Sequence, residues 1–294
     1  MSKGTLRISL DFECGWGCVS DGIWHQRQSD GIYRDLRPAL ARFTKRADDL
    51  ELKLCWAVVG AMIEPPSERD FAHLRGKYAL DIRRFNDEAE EPTHDGRDLL
   101  DMVTSMQTAQ QFGTHTYSHL TVSDPEQGAE VLAEDLTRAV YVNAKLGLDA
   151  DRLVFPRNHF GHFDVVRSAG IKCARMPPDN MVDPQNRPGP IKRAISGILR
   201  PVSPVTELQD ESGVILHHAT EFLNWGGQSG VVKRRLQQRR INRALTQASN
   251  GTDVHFWLHP FNLVETSGLG DFVDQFLIQI AKYRDADRLR VTGF

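Results

Sequence analysis

The sequence predicts an α/β protein, a single barrel of alternating strands and helices over residues 1–294. Three observations predict it. Short apolar runs of strand length alternate with longer amphipathic stretches, a pattern that implies parallel strands joined by right-handed crossovers. Seven or eight such units can be counted, with no internal repeat and no long linker between them. A length of 294 residues also suits one barrel, which needs about 250. A barrel is therefore expected in preference to an open doubly wound sheet.

The elements follow in order. Thr5–Phe12 reads as a strand, with Leu6, Ile8 and Leu10 alternating. A looped region with several glycines and two tryptophans runs from Cys14 to Gly31, and Tyr33–Leu50 reads as a helix. The apolar run Leu52–Val59 fits a strand buried on both faces. Glu64–Pro92 is polar and carries no usable period. Arg97–Gln110 has helical spacing, and Gln111–Thr116 fits a third strand. Ser123-Asp-Pro-Glu126 has the form of a capping box and is expected to open a helix reaching about Leu146. Leu153–Pro156 is the next strand, Asp164–Ala169 a short helix and Ile171–Arg175 another strand. Met176–Pro190, rich in Pro and Gly, reads as a loop. Val214–His218, Val231–Ser249 and Val254–His259 continue as strand, helix and strand. Phe272–Tyr283 is the last helix and Leu289–Thr292 the last strand.

Composition narrows the function classes. Hydrophobic residues make up 40% and charged residues 26%, the balance of a globular protein. A net charge of −3 provides no global field for nucleic acid or acidic lipid. No apolar run approaches the roughly 20 residues that span a bilayer, and Met1–Gly4 opens no apolar leader, so a cytoplasmic location is expected. Cys14, Cys18, Cys55 and Cys173 are too few and too scattered for a disulfide framework and are expected as free thiols. The dense basic run Lys233–Arg243 keeps Leu236, Ile241 and Leu245 on one side. It reads as an amphipathic barrel helix with a solvated basic face, or as a site for an anionic nucleotide or lipid carrier.

Barrel chemistry sits at the carboxyl ends of the strands, and that rule selects four clusters. The first is Asp11-Phe-Glu13, two carboxylates that share a strand face and would be costly to bury together without a cation. Solvated loop acids would show the same spacing. The second is His115-Thr-Tyr-Ser-His119, whose histidines are spaced to meet one ion from a single helical turn. Chance alone supplies roughly 0.4 such pairs in a chain with this many histidines, and His255/His259 is another. Placement directly after a strand is what separates His115 and His119. The third cluster, Val154-Phe-Pro-Arg157-Asn158, offers a guanidinium able to orient a carboxylate, or a plain surface charge. The fourth, Phe256-Trp-Leu-His259-Pro260, ends an apolar strand in a histidine that could donate a proton or could be a satisfied core residue. His217-His218 is a rival for that role. Trp16, Tyr117, Asn158 and Trp257 are candidate substrate-binding residues, although aromatics near strand ends often only pack.

Taken in this order, the four clusters resemble the motifs of the polysaccharide deacetylase, or NodB-homology, family: Ser9-Leu-Asp-Phe-Glu13, His115-Thr-Tyr-Ser-His119, Phe155-Pro-Arg157 and Leu258-His259. The histidine motif matches fully. The acidic motif departs, because Phe12 separates two acids that are commonly adjacent aspartates, and Pro156 precedes the arginine. The Pro-Phe-Asn after His259 resembles a subgroup associated with surface-polysaccharide biosynthesis. The resemblance implies a distorted (β/α)7-type barrel and one divalent metal, usually zinc, held by Glu13, His115 and His119. It further implies Asp11 as general base, Arg157 as its holder and His259 as general acid, with Asp11 and Glu13 open to exchange. The implied activity is removal of an N-acetyl group from an amino sugar. The substrate would be nucleotide- or lipid-linked and a precursor of a surface glycan such as lipopolysaccharide O-antigen. A metal-dependent hydrolase of another amide, such as a ureide or cyclic amide, and an inactive carbohydrate-binding barrel are the alternatives.

Overall fold

A computed structural model describes residues 3–178, 203–225 and 230–294. The strands are β1 (Thr5–Phe12), β2 (Cys55–Val58), β3 (Gln111–Thr114), β4 (Arg152–Val154), β5 (Cys173–Met176), β6 (Thr206–Gln209), β7 (Ile215–His218), β8 (Glu221–Phe222), β9 (Val254–Leu258) and β10 (Arg290–Thr292). They form one sheet in the order β6-β7-β5-β4-β3-β2-β1-β9-β8, with β10 beside the start of β1. The sheet curls into a half-barrel of the expected α/β kind, covered outside by helices. Its pairings are parallel except for the antiparallel β6–β7 pair.

Burial on both faces accounts for the apolar strands. β2 is buried at all four positions and β9 at all five, because one face fills the barrel interior and the other lies under helices. The helices supply matching stripes. Ile32–Asp49 buries Leu36, Leu40, Phe43 and Ala47 at spacings of three and four, one face of a 3.6-residue period. Ala129–Lys145 and Leu269–Asp285 do the same with Leu132, Leu136, Ala139 and with Phe272, Phe276, Ile280. Val231–Ser249 turns Ile241, Ala244, Leu245 and Ala248 inward and leaves Lys233, Arg234, Arg235, Arg239 and Arg243 exposed, the amphipathic arrangement read from the sequence.

Several elements differ from expectation. Residues 64–92 contain a thirteen-residue helix, Gly76–Glu88, whose buried Tyr78, Ala79, Ile82 and Phe85 form a helical stripe diluted by charged neighbours. The helix expected over Arg97–Gln110 stops at Thr104. The capping box at Ser123–Glu126 does not form. Asp124 instead accepts the Glu126 amide at 3.0 Å, Glu126 accepts the Lys77 amide at 3.2 Å, and the helix begins at Ala129 after Gly128. A side chain with a better partner elsewhere leaves the cap unused. β6 was not expected, because its exposed residues carry no strand period. The Met176–Pro190 loop beyond residue 178 lies outside the described residues. Among the described residues, no helix is long and apolar enough to cross a membrane.

Candidate metal centre

The carboxyl ends of β1, β3, β4 and β9 meet around a cleft of about 340 Å³. Its lining includes Asp11, Glu13, His115, His119, Arg157, Asn158, Trp257 and His259. Asp11 is the penultimate residue of β1, and its interior-facing register puts it beside Ala57 of β2. Glu13 follows directly, at the entry of the short 3-10 turn Cys14–Cys18. Gly17 lies against the Glu13 carboxylate so closely that a Cβ there would collide with it.

His115 follows the end of β3. The segment to His119 is not the helical turn its spacing suggested. Thr116 and His119 adopt left-handed backbone conformations (φ 63° and 61°), and the chain doubles back as a loop. Asp135, fully buried on the helix Ala129–Lys145, holds that loop by accepting the Tyr117 amide at 2.7 Å and the Ser118 amide at 3.2 Å. The two imidazoles end 4.9 Å apart between ring centroids, and each Nε2 lies 3.0 Å from Glu13 Oε2.

This group has the chemistry of a cation site. His115 Nδ1 is 2.7 Å from the Val154 carbonyl, which can only accept, so that nitrogen carries the proton. In the neutral ring Nε2 is then a bare lone pair, yet it faces a carboxylate oxygen. Burying two such acceptors against each other is unfavourable unless a cation or proton lies between them. All three ligand atoms lie within 4.8 Å of one another, and all three residues are buried, so the group could hold a metal ion. Two imidazoles and a carboxylate are a donor set suited to Zn²⁺ with a fourth position open. Burial works to raise the Glu13 carboxyl, but the charges of His259 and His119 and its close contacts with His115 and His119 outweigh it and hold the group well below the usual carboxylate range.

Asp11 is held by a guanidinium, but not the expected one. Arg175 Nη1 and Nη2 reach Asp11 Oδ1 and Oδ2 at 2.5 and 2.7 Å, with the ring of Trp257 4.4 Å below the guanidinium. Arg175 is on β5 in register with Val154 and faces the barrel interior, so its side chain climbs to the acid from beneath. Arg157 lies beyond the end of β4, in a short turn where it and Asn158 both have left-handed φ (56° and 57°). Its side chain goes to the rim, where Nη2 donates to Asp21 at 2.9 Å and to the Gly17 carbonyl at 3.2 Å. The only sequence signal for Arg175 was a charged residue inside an otherwise apolar strand. Burial tends to raise the Asp11 carboxyl; the charge and bonds of Arg175 prevail and keep it below its ordinary value.

His259 follows β9 and places Nε2 3.6 Å from Asp11 and 3.5 Å from Glu13. Its ring stacks on Phe261 and meets the edge of Phe222, and its Nδ1 lies 3.2 Å from Asn262 Oδ1. Neither rival histidine lines the cleft. His217 lies deeper in the barrel against His255, bound to Glu207, and His218 bonds the Pro177 carbonyl. His255, the partner of the second spaced pair, is fully buried on Ser9 Oγ.

Two expected sugar contacts are corrected. Trp16 is buried between Phe71 and Phe85, with its indole N–H on the His94 carbonyl. Tyr117 points away from its flanking histidines, and its hydroxyl donates to Glu64 at 2.7 Å. Both rings are core residues, because the tight turns that present Glu13 and the histidines send the intervening aromatics inward. Asn158 and Trp257 do line the cleft. The four cysteines are free.

No protein-family model matches the sequence, and no curated protein matches it. Solved structures share the fold. One described as a polysaccharide deacetylase from Mycobacterium smegmatis is 12% identical, with 99% of this chain and 87% of that chain covered at a TM-score of 0.61. Another described the same way, from Pseudomonas aeruginosa PAO1, is 11% identical, with coverage of 99% and 88% and a TM-score of 0.60. The PuuE allantoinase is 12% identical over 99% and 88%, with a TM-score of 0.58. The chain therefore has the deacetylase-like barrel fold, with a buried Glu–His–His group at the end where such barrels carry their chemistry.

Proposed function

We propose that the protein is a metal-dependent hydrolase that removes the acetyl group from the nitrogen of an amino sugar. The observation that carries this reading is one cleft shared by a buried two-histidine, one-carboxylate group, a second carboxylate clamped by a guanidinium, and an imidazole within 3.6 Å of both acids. The fold shared with proteins described as polysaccharide deacetylases supports it. The reading extends to residues 1–294 as one catalytic domain. It takes a nucleotide- or lipid-linked precursor of a surface glycan as substrate and the cytoplasm as its place.

Amide hydrolysis needs a nucleophile at neutral pH and a protonated leaving amine. Glu13, His115 and His119 would hold a divalent ion, most simply Zn²⁺, which when bound lowers the pKa of a water and stabilises negative charge on the amide oxygen. Asp11, kept ionised by Arg175, accepts the attacking water's proton. His259 donates a proton from Nε2 to the leaving nitrogen. Asn158 and Trp257 contact the sugar. The shared fold of an allantoinase favours a second reading, in which the same residues hydrolyse a ureide or cyclic amide.

Metal analysis of the purified protein, combined with acetate release from a panel of nucleotide-linked N-acetyl sugars, tests the proposal. One divalent ion per chain is expected. His115→Ala and His119→Ala should lower metal content sharply, whereas Asp11→Asn should keep the metal and lose at least about 100-fold in turnover. A metal-loaded protein that opens ureides but releases no acetate would move the assignment to the second reading. Full activity in Asp11→Asn and Glu13→Gln together would end both.

A further inference from the structure

We propose that Arg157 and Asn158 form a binding site for an oxyanion carried by the substrate, a phosphate or a carboxylate attached to the sugar. The inference rests on the hydrolase reading only in taking an amino sugar as the cleft's occupant. It starts from the displaced role of Arg157. The base is held by Arg175, so the Arg157 guanidinium, which lines the cleft, is not the group that orients it.

The local backbone is built to present this pair. Arg157 and Asn158 are consecutive non-glycine residues in the left-handed region, a conformation that L side chains rarely adopt and that persists where the surroundings impose it. The turn brings both side chains to the cleft lining after β4, whereas Phe222 and Trp257 line it from β8 and β9, on the other side of β1 in the sheet order. Among the described residues, Arg157 bonds through Nη2 alone, and neither its Nε and Nη1 nor the Asn158 side-chain amide has a hydrogen-bond partner. Once Asp21 is displaced, Nη2 together with the free Nε or Nη1 forms the paired edge that matches an oxyanion.

Its present partner is exchangeable. Arg157 and Asp21 have side chains 34% and 36% exposed, and a pair so exposed contributes little net stability. An incoming phosphate or carboxylate could replace Asp21 on the guanidinium at small cost. Asp21 then acts as a stand-in that keeps Arg157 at the rim of the free protein.

The same contacts define a rival role, in which Arg157 clamps the Cys14–Cys18 turn through Gly17 and Asp21. The two roles diverge for Asp21→Asn. A clamp is damaged by losing either partner, whereas an anion site gains affinity when its internal competitor is removed.

The test is isothermal titration of the metal-loaded protein with three probes: N-acetylglucosamine 1-phosphate, N-acetylmuramic acid and neutral N-acetylglucosamine. We expect at least one anionic probe to bind about tenfold or more tightly than the neutral one, the scale of a charge-assisted hydrogen bond. Arg157→Gln should erase that preference while leaving the neutral sugar's affinity unchanged, and Asp21→Asn should increase it. Whichever anion is preferred identifies the group. Equal binding of anionic and neutral probes, a preference that survives Arg157→Gln, or weakened anion binding in Asp21→Asn would each overturn the proposal. Binding is read without turnover, so a protein that binds the anion but releases no acetate would defeat the deacetylase reading and leave the anion site standing.

Discussion

Asn262 decides which nitrogen of His259 faces the cleft. Its amide Nδ2 donates to Glu265 Oε2 at 3.2 Å, so its Oδ1 must be the atom facing His259 Nδ1. Glu265 is fixed in turn by Arg27, at 2.6 and 2.9 Å, and Arg27 lies over the Phe261 ring on which His259 stacks. Nδ1 of His259 is therefore held protonated toward Asn262, and Nε2 is the nitrogen that can exchange a proton with a substrate. In the proposed mechanism Asn262 acts through His259 and is a positioning residue. Asn262→Ala should lower kcat about tenfold or more with KM and metal content unchanged, and Asn262→Asp, which keeps the acceptor, should restore most of the loss. Loss of metal or a rise in KM in Asn262→Ala, or no rescue by Asp, would assign Asn262 to packing alone. Arg175 makes the same point energetically. Removing one partner of a buried ion pair typically costs about 3–5 kcal/mol, whereas an exposed pair such as Arg157–Asp21 is worth about 1 kcal/mol or less.

At the scale of elements, the barrel wall carries more polar groups than an apolar strand pattern suggests. β7 and β9 turn His217 and His255 into the interior with ring centroids 4.9 Å apart, beneath Arg175 and Ser9. Burial, opposed by Glu207, brings His217 down to about 4, and burial together with the neighbouring charges of His217, Arg175 and Arg7 brings His255 well below its ordinary value. Both are depressed from an unfolded value near 6.5. Between about pH 4 and pH 6.5 the unfolded chain therefore binds protons that the native chain refuses. The stability they permit is fully present above about pH 6.5 and is lost as the pH falls toward 4, by up to about 1.4 kcal/mol per pH unit for each proton. Thermal unfolding followed from pH 7 to pH 5 should show Tm falling. His217→Gln should flatten that slope if the variant folds, and a slope unchanged in a folded His217→Gln would remove His217 from the account.

For the whole molecule, the Glu13–His115–His119 group joins the ends of two strands that are not neighbours in the sheet. Glu13 follows β1, while His115 and His119 follow β3, with β2 between them. An ion bound there stabilises the native chain by mass action, about 2.7 kcal/mol at a hundred times its dissociation constant. For a chain of this size that corresponds to a Tm shift on the order of 5 °C. Chelation should lower Tm by about that amount and zinc should restore it, while His119→Ala should respond to neither. A wild-type Tm unmoved by chelator and zinc, in protein shown to be metal-free and then loaded, would mean that the group does not hold an ion in solution.

How much of this was legible differs by kind of information. β1, the helix Ile32–Asp49, β2, the basic helix Val231–Ser249 and β9 could be read directly, because burial of one or both faces imposes a local period. The acids at Asp11 and Glu13, the His115/His119 pair and His259 could be singled out because strand ends are where a parallel barrel opens. Their meeting around one cleft, the seating of Arg175 rather than Arg157 on Asp11, the burial of Trp16 and Tyr117, the antiparallel β6–β7 pair and the Asn262–Glu265–Arg27 tether are tertiary facts. Periodicity reports which face of an element is buried, and it does so from neighbours three or four residues away. Which side chain reaches across the barrel depends on strand register and on backbone turns such as those at Thr116, His119, Arg157 and Asn158. Those depend on partners well outside that range, as Arg175 lies 164 positions from Asp11 and Asp135 lies 18 from Tyr117, and no local pattern encodes them.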